Sequence, residues 1–80
     1  MRKRKYIITE KDDIIIFSEC IRHDAFLHLK PKSAGFVQFF VDDEGKVGVN
    51  CYGESISLKL KSLPGDNEIA ERLLLNDGFF

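Results

Sequence analysis

Cys20, His23, Asp24 and His28 form the one cluster of metal-competent side chains in this sequence. On an α-helix, Cys20, Asp24 and His28 stand at i, i+4 and i+8 and share a face. A structural zinc site ordinarily takes four ligands and favours paired cysteines. This cluster offers one thiol and a carboxylate, so the expectation is a solvated polar face with Cys20 partly buried, without metal or other cofactor. Gly53-Glu54-Ser55-Ile56-Ser57 lies one residue from the G-x-S-x-G pattern of a nucleophile elbow. That motif needs a strand-to-helix turn backed by a large parallel sheet, more than 80 residues supply. Ser55 is expected to serve a turn. His23 is a conceivable base for Ser55 or Cys51, but no third group or oxyanion site accompanies it. Cys51 is expected mid-strand, where a buried thiol is inert. No catalytic residue is assigned.

Charge points to a second kind of chemistry. Arg2, Lys3, Arg4 and Lys5 supply four of the 12 basic residues, leaving eight against 13 acids, so a formal net charge of -1 hides a basic tail on an acidic body. The tail could touch phosphate, and Tyr6, Phe36 and Tyr52 could stack bases on a sheet surface. Asp42, Asp43, Glu44 and Glu54 at the ends of that sheet oppose such a role. Residues 1–5 are read as a solvated tail and 6–80 as a single domain. The charge distribution argues against nucleic acid as a partner.

The elements that position these residues are legible from pattern. Asp43-Glu44-Gly45 fits a three-residue hairpin loop with Gly45 in the left-handed region. Closing Asp42 on Lys46 pairs Val41 with Val47, Phe39 with Val49 and Val37 with Cys51 on one face. The other face carries Phe40 over Gly48, Gln38 beside Asn50 and Phe36 beside Tyr52. Tyr6-Ile7-Ile8-Thr9 and Ile14-Ile15-Ile16-Phe17 read as a second hairpin, apolar on both faces and so central or covered twice.

Ser18 is expected to cap a helix from Glu19, with Ile21, Ala25 and Leu29 inward and Pro31 stopping it. An extended Leu27-His28-Leu29-Lys30 is the competing pattern. Ile56-Ser57-Leu58-Lys59-Leu60 alternates as a one-sided strand should. Ser62 or Asp66 caps a final helix whose stripe is Ile69, Ala70, Leu73 and Leu74, with Glu68 and Arg72 paired on its outer side. The predicted fold is α+β: an antiparallel sheet of about five strands in the order β-β-α-β-β-β-α, with the C-terminal helix packed on one face.

One helical layer leaves the other sheet face open. Phe36, Phe40 and Tyr52, with Leu75, Phe79 and Phe80 at the C-terminal end, are therefore the interface candidates. The composition is 44% hydrophobic and 31% charged, with two cysteines outside any CxxC spacing. No signal segment is expected, and no apolar run reaches the length that spans a bilayer. Reduced thiols in the cytoplasm are expected.

Four sets of residues carry a resemblance. Ile21-Arg22-His23, Ser33-Ala34-Gly35-Phe36, Cys51-Tyr52-Gly53-Glu54-Ser55 with Ser57-Leu58, and Lys61-Ser62 with Pro64 and Asp66 resemble a family of short uncharacterised proteins typical of phages and of phage-derived regions of bacterial genomes. The resemblance implies context rather than chemistry: binding of a host component. The first expectation is a non-enzymatic, homodimeric interaction protein. The alternatives are a phage-type antagonist that captures a host protein or a small nucleotide, and a nucleic-acid binder acting through Arg2 to Lys5.

Overall fold

Runs of β-branched and aromatic residues build the frame of this protein. The computed structural model describes residues 3–72. Strands β1 (Arg4–Thr9), β2 (Ile14–Phe17), β3 (Pro31–Val41) and β4 (Val47–Tyr52) form one antiparallel sheet in the order β2-β1-β3-β4. Strands β5 (Glu54–Ser55) and β6 (Leu60–Lys61) pair as a separate small sheet. A 3-10 helix (His23–Leu29) and a short α-helix, α1 (Asp66–Ala70), complete the described residues. The architecture is broadly α+β, with four strands in the main sheet where about five were expected. No helix among the described residues is long and apolar enough to cross a membrane.

The β3–β4 hairpin has the register expected from its turn. Asp42 and Lys46 close it, Gly45 holds φ +83°, and all six pairs from Val41↔Val47 to Phe36↔Tyr52 match. The Asp42 carboxylate accepts the N–H groups of Glu44 and Lys46, both at 2.9 Å, fixing the loop. The first hairpin also forms as expected, and β1 is central, with Tyr6, Ile7 and Ile8 fully buried. Strand β3 is longer than its hairpin half. It begins at Pro31, which lacks an N–H and so suits a first strand position.

Two segments depart from the expected secondary structure, both for reasons of local hydrogen bonding. Ser18 makes a turn instead of capping a helix: its Oγ accepts from Cys20 N at 3.2 Å and its carbonyl from Ile21 N at 3.0 Å. Helix begins only at His23 and is 3-10, with a kink at Phe26. Three residues per turn put His23, Phe26 and Leu29 on the inner side, whereas Ile21 and Ala25 are exposed. Ile56 to Lys59 is not a strand, and only Leu60 of the expected run is, as the start of β6. Ser55 Oγ accepts Leu58 N–H at 3.3 Å, Lys59 turns back at φ 57°, and residues 56–59 become the turn between β5 and β6.

Both faces of the sheet are packed around β1. On one, Tyr6, Ile8, Val37, Phe39 and Val49 meet Ala70, with Ile14, Ile16, Cys51 and Ile69 alongside. On the other, Ile7, Phe17 and Ala34 meet Phe26 and Leu29 of the 3-10 helix and Leu58 and Leu60 of the small sheet. The stripe residues Leu73 and Leu74 lie outside the described residues.

Asp66 caps nothing forward into α1. It is 1% exposed, and its Oδ2 accepts the Tyr6 hydroxyl at 2.5 Å and Leu63 N–H at 2.9 Å, while Oδ1 accepts Ser33 Oγ–H at 3.1 Å. A buried polar group deprived of one partner costs about 1–3 kcal/mol. Tyr6→Phe should therefore lower stability by about that amount, seen as a lower urea midpoint at unchanged slope. Asp66→Ala strands three donors and should cost more. A Tyr6→Phe midpoint equal to that of the parent would show that the bond adds nothing.

Candidate functional site

Strand alternation places Phe36, Gln38 and Phe40 of β3 beside Tyr52, Asn50 and Gly48 of β4 on one face. The 3-10 helix covers only the end of this face nearest β2. Phe36 is half-buried there: its ring lies 5.9 Å from His23 in an edge-to-face arrangement and 5.9 Å from Tyr52, tilted by 31°. Lys3 Nζ sits 4.7 Å from the Phe36 ring centre. At the far end Phe40 is 46% exposed and lies across Gly48, where a Cβ would fall 2.4 Å from its Cζ. Thus Phe36 and Tyr52 are partly covered, and Phe40 is open. The other interface candidates, Leu75, Phe79 and Phe80, lie outside the described residues.

A cleft of about 540 Å³ opens at the covered end of the same face. Lys5 of β1, Arg22 and His23 at the start of the 3-10 helix, Phe36 of β3 and the corner from Gly53 to Ser57 line it. His23 is buried, and its Nε2 meets the Gly35 carbonyl at 2.8 Å, so that nitrogen carries the hydrogen. Burial holds the imidazole below its ordinary range, with the Lys5 charge adding to the effect and the Gly35 bond opposing it. Ser55 is equally buried, but its hydroxyl serves Leu58 N and Ser57 Oγ. The cleft brings His23 and Ser55 together without making them a nucleophile–base pair. Cys51 faces the opposite side of the sheet, where burial first and the Asp66 charge second push its thiol up to about 12.

The remaining sequence candidates are dispersed. Cys20 is exposed, not partly buried, and precedes the helix, so it no longer shares a face with Asp24 and His28. Asp24 is engaged by Arg22, through Nη2 at 2.9 Å and Nε at 3.2 Å. His28 lies beside Thr9, Glu10 and Lys11 at the other end of the helix. Arg2 lies outside the described residues. Arg4 and Lys5 open β1 and so point to opposite faces, and Lys5 donates to the Ile21 carbonyl at 2.8 Å. Tyr6, read from sequence as a stacking platform, is fully buried on the face opposite Phe36.

Sequence reasoning missed Asp66 as a buried hub and missed the meeting of Lys5, Arg22, Phe36 and Ser55. The first had a local signal that was absorbed by its plausibility as a cap. The second joins four distant segments and had none.

Two measurements check these environments. The unfolded chain protonates His23 near its ordinary 6.5, and the folded state only at lower pH. Stability contributed by the neutral ring is complete above 6.5 and is lost as pH falls through the folded value. The urea midpoint should fall as pH drops below 6.5, and fall less in His23→Gln. Equal slopes would remove His23 from the titration. For the thiols, a disulfide reagent at pH 8 should label exposed Cys20 promptly and Cys51 only on unfolding. Two equally fast thiols in the native protein would contradict the shielding of half-buried Cys51.

No family model matches this chain, and no curated protein or solved structure matches it, so its function is read from its own geometry.

Proposed function

We propose that this chain is a small, non-enzymatic interaction protein that works as a symmetric homodimer and engages a protein partner through the aromatic end of its sheet. The observation that carries this is Phe40, 46% exposed and spread across Gly48, with uncharged Gln38 and Asn50 beside it and the hairpin-closing Asp42 and Lys46 at its turn side. Aromatic side chains supply large contact area at low entropic cost and concentrate at interface cores. Val41 at the same hairpin end is 55% exposed, so apolar surface continues around the edge. In the same reading a C-terminal helix packs along the opposite face, where Ile69 and Ala70 join the core, leaving the Phe40 end of the aromatic face for association. The protein works in the cytoplasm with both thiols reduced. A host protein is the partner class that the phage-type motifs imply.

Light scattering across a concentration range should give twice the 9.2 kDa chain mass at high micromolar protein. Phe40→Lys should return the particle to monomer while keeping its circular dichroism, because an exposed site tolerates a charge at within about 0.5 kcal/mol. A strictly monomeric parent protein overturns the dimer.

A further inference from the structure

We infer that the cleft between the 3-10 helix and the Gly53–Ser57 corner binds a small organic anion: a carboxylate carried on an aromatic body. This site is separate from the exposed end at Phe40 and does not depend on it. Its walls are apolar, formed by Phe36 and by Ile56, which the Ser55–Leu58 turn holds 85% exposed at the rim. A large aliphatic side chain projecting beside an aromatic wall offers a surface that a flat apolar body would cover. The volume, about 540 Å³, lies in the range of small-molecule sites.

The rim selects for negative charge. Lys5 uses one ammonium hydrogen on the Ile21 carbonyl at 2.8 Å and keeps two. Arg22 is steadied by Asp24 through Nε and Nη2, and the rest of its planar fork stays available. Both cations are therefore positioned before a ligand arrives, which reduces the ordering cost of binding. With Lys3 above Phe36, three cations stand against Asp24 and Glu54, on a chain whose formal net charge is -1. Glu54 at the mouth disfavours polyanions, and three cations are few for a nucleic-acid backbone. A single carboxylate between Lys5 and Arg22, its ring against Phe36 and Ile56, uses the spare donors of both cations and the apolar walls.

The test is a titration of the full chain, followed by amide proton–nitrogen NMR, with 3-phenylpropionate as the probe. The uncharged 3-phenylpropanamide and inorganic phosphate serve as controls. The carboxylate should shift the signals of Lys5, Arg22, Phe36 and residues 53–57. The amide should bind about tenfold more weakly, the loss of one charge-assisted hydrogen bond. Arg22→Gln, at a side chain 75% exposed and so compatible with folding, should weaken the carboxylate and leave the amide unchanged. Ile56→Ser should weaken both. Absence of shifts at these residues at about 10 mM probe, the weak limit of specific binding, overturns the site. Equal affinity for the amide overturns the anion preference, and equal affinity for phosphate overturns the aromatic body.

Discussion

The buried carboxylate of Asp66 is the interaction on which the arrangement of this protein depends. A carboxylate withdrawn from water is costly unless its lone pairs are occupied. Here three donors occupy them: Tyr6 from β1, Ser33 from β3 and the Leu63 N–H just before α1. Those donors come from the start, the middle and the end of the described chain, so the bond set forms only when all three segments are in place. Burial, with the bond to Asp66 second, drives the Tyr6 hydroxyl far above its ordinary range and keeps it a donor. The neighbouring Asn67 accepts the outward Cys51 N–H of edge strand β4 at 2.6 Å. One turn of helix thus ties the sheet interior and its edge to the segment that follows β6.

That tie also fixes the candidate site. Strands β5 and β6 are two residues each and carry little stability alone. They are held between the end of β4, where Ser62 N and Oγ both bond to the Gly53 carbonyl, and the anchored Asp66. The Gly53–Ser57 corner is therefore a supported turn. It stands opposite Lys5 and Arg22 because β1 and the 3-10 helix are packed on the same face through Phe17, Phe26 and His23.

What was legible in the sequence follows from the range of the forces involved. The β3–β4 register came from a single turn whose glycine geometry and closing pair leave one solution, and strand alternation carried that solution six pairs outward. The first hairpin was legible for the same reason. The misread segments, 19–22 and 56–59, both follow a serine whose hydroxyl bonds a nearby backbone N–H. A periodicity count sees apolar spacing but not that competition, and so returns α-helix where a turn and a 3-10 helix form, and strand where a turn forms. The cleft was illegible because its residues converge only through tertiary packing. Arg4 and Lys5 show the converse: a basic run that looks like one patch in sequence is divided between two faces once it is strand.

Four groups with reactive potential, His23, Cys51, Tyr6 and Ser55, are committed to structure. His23 spends its Nε2 hydrogen on Gly35, the Cys51 thiol is held protonated by burial, and the Tyr6 hydroxyl is locked on Asp66. Ser55 stabilises its own turn. Activating any of them would mean breaking a bond that positions a neighbouring element, and a domain of this size has little stability to spare. What the fold leaves at its surface is of another kind: an aromatic ring across a glycine, an aliphatic rim, and two tethered cations with donors to spare. Such groups act through shape and charge without making or breaking bonds, which is the chemistry that the proposed binding role requires.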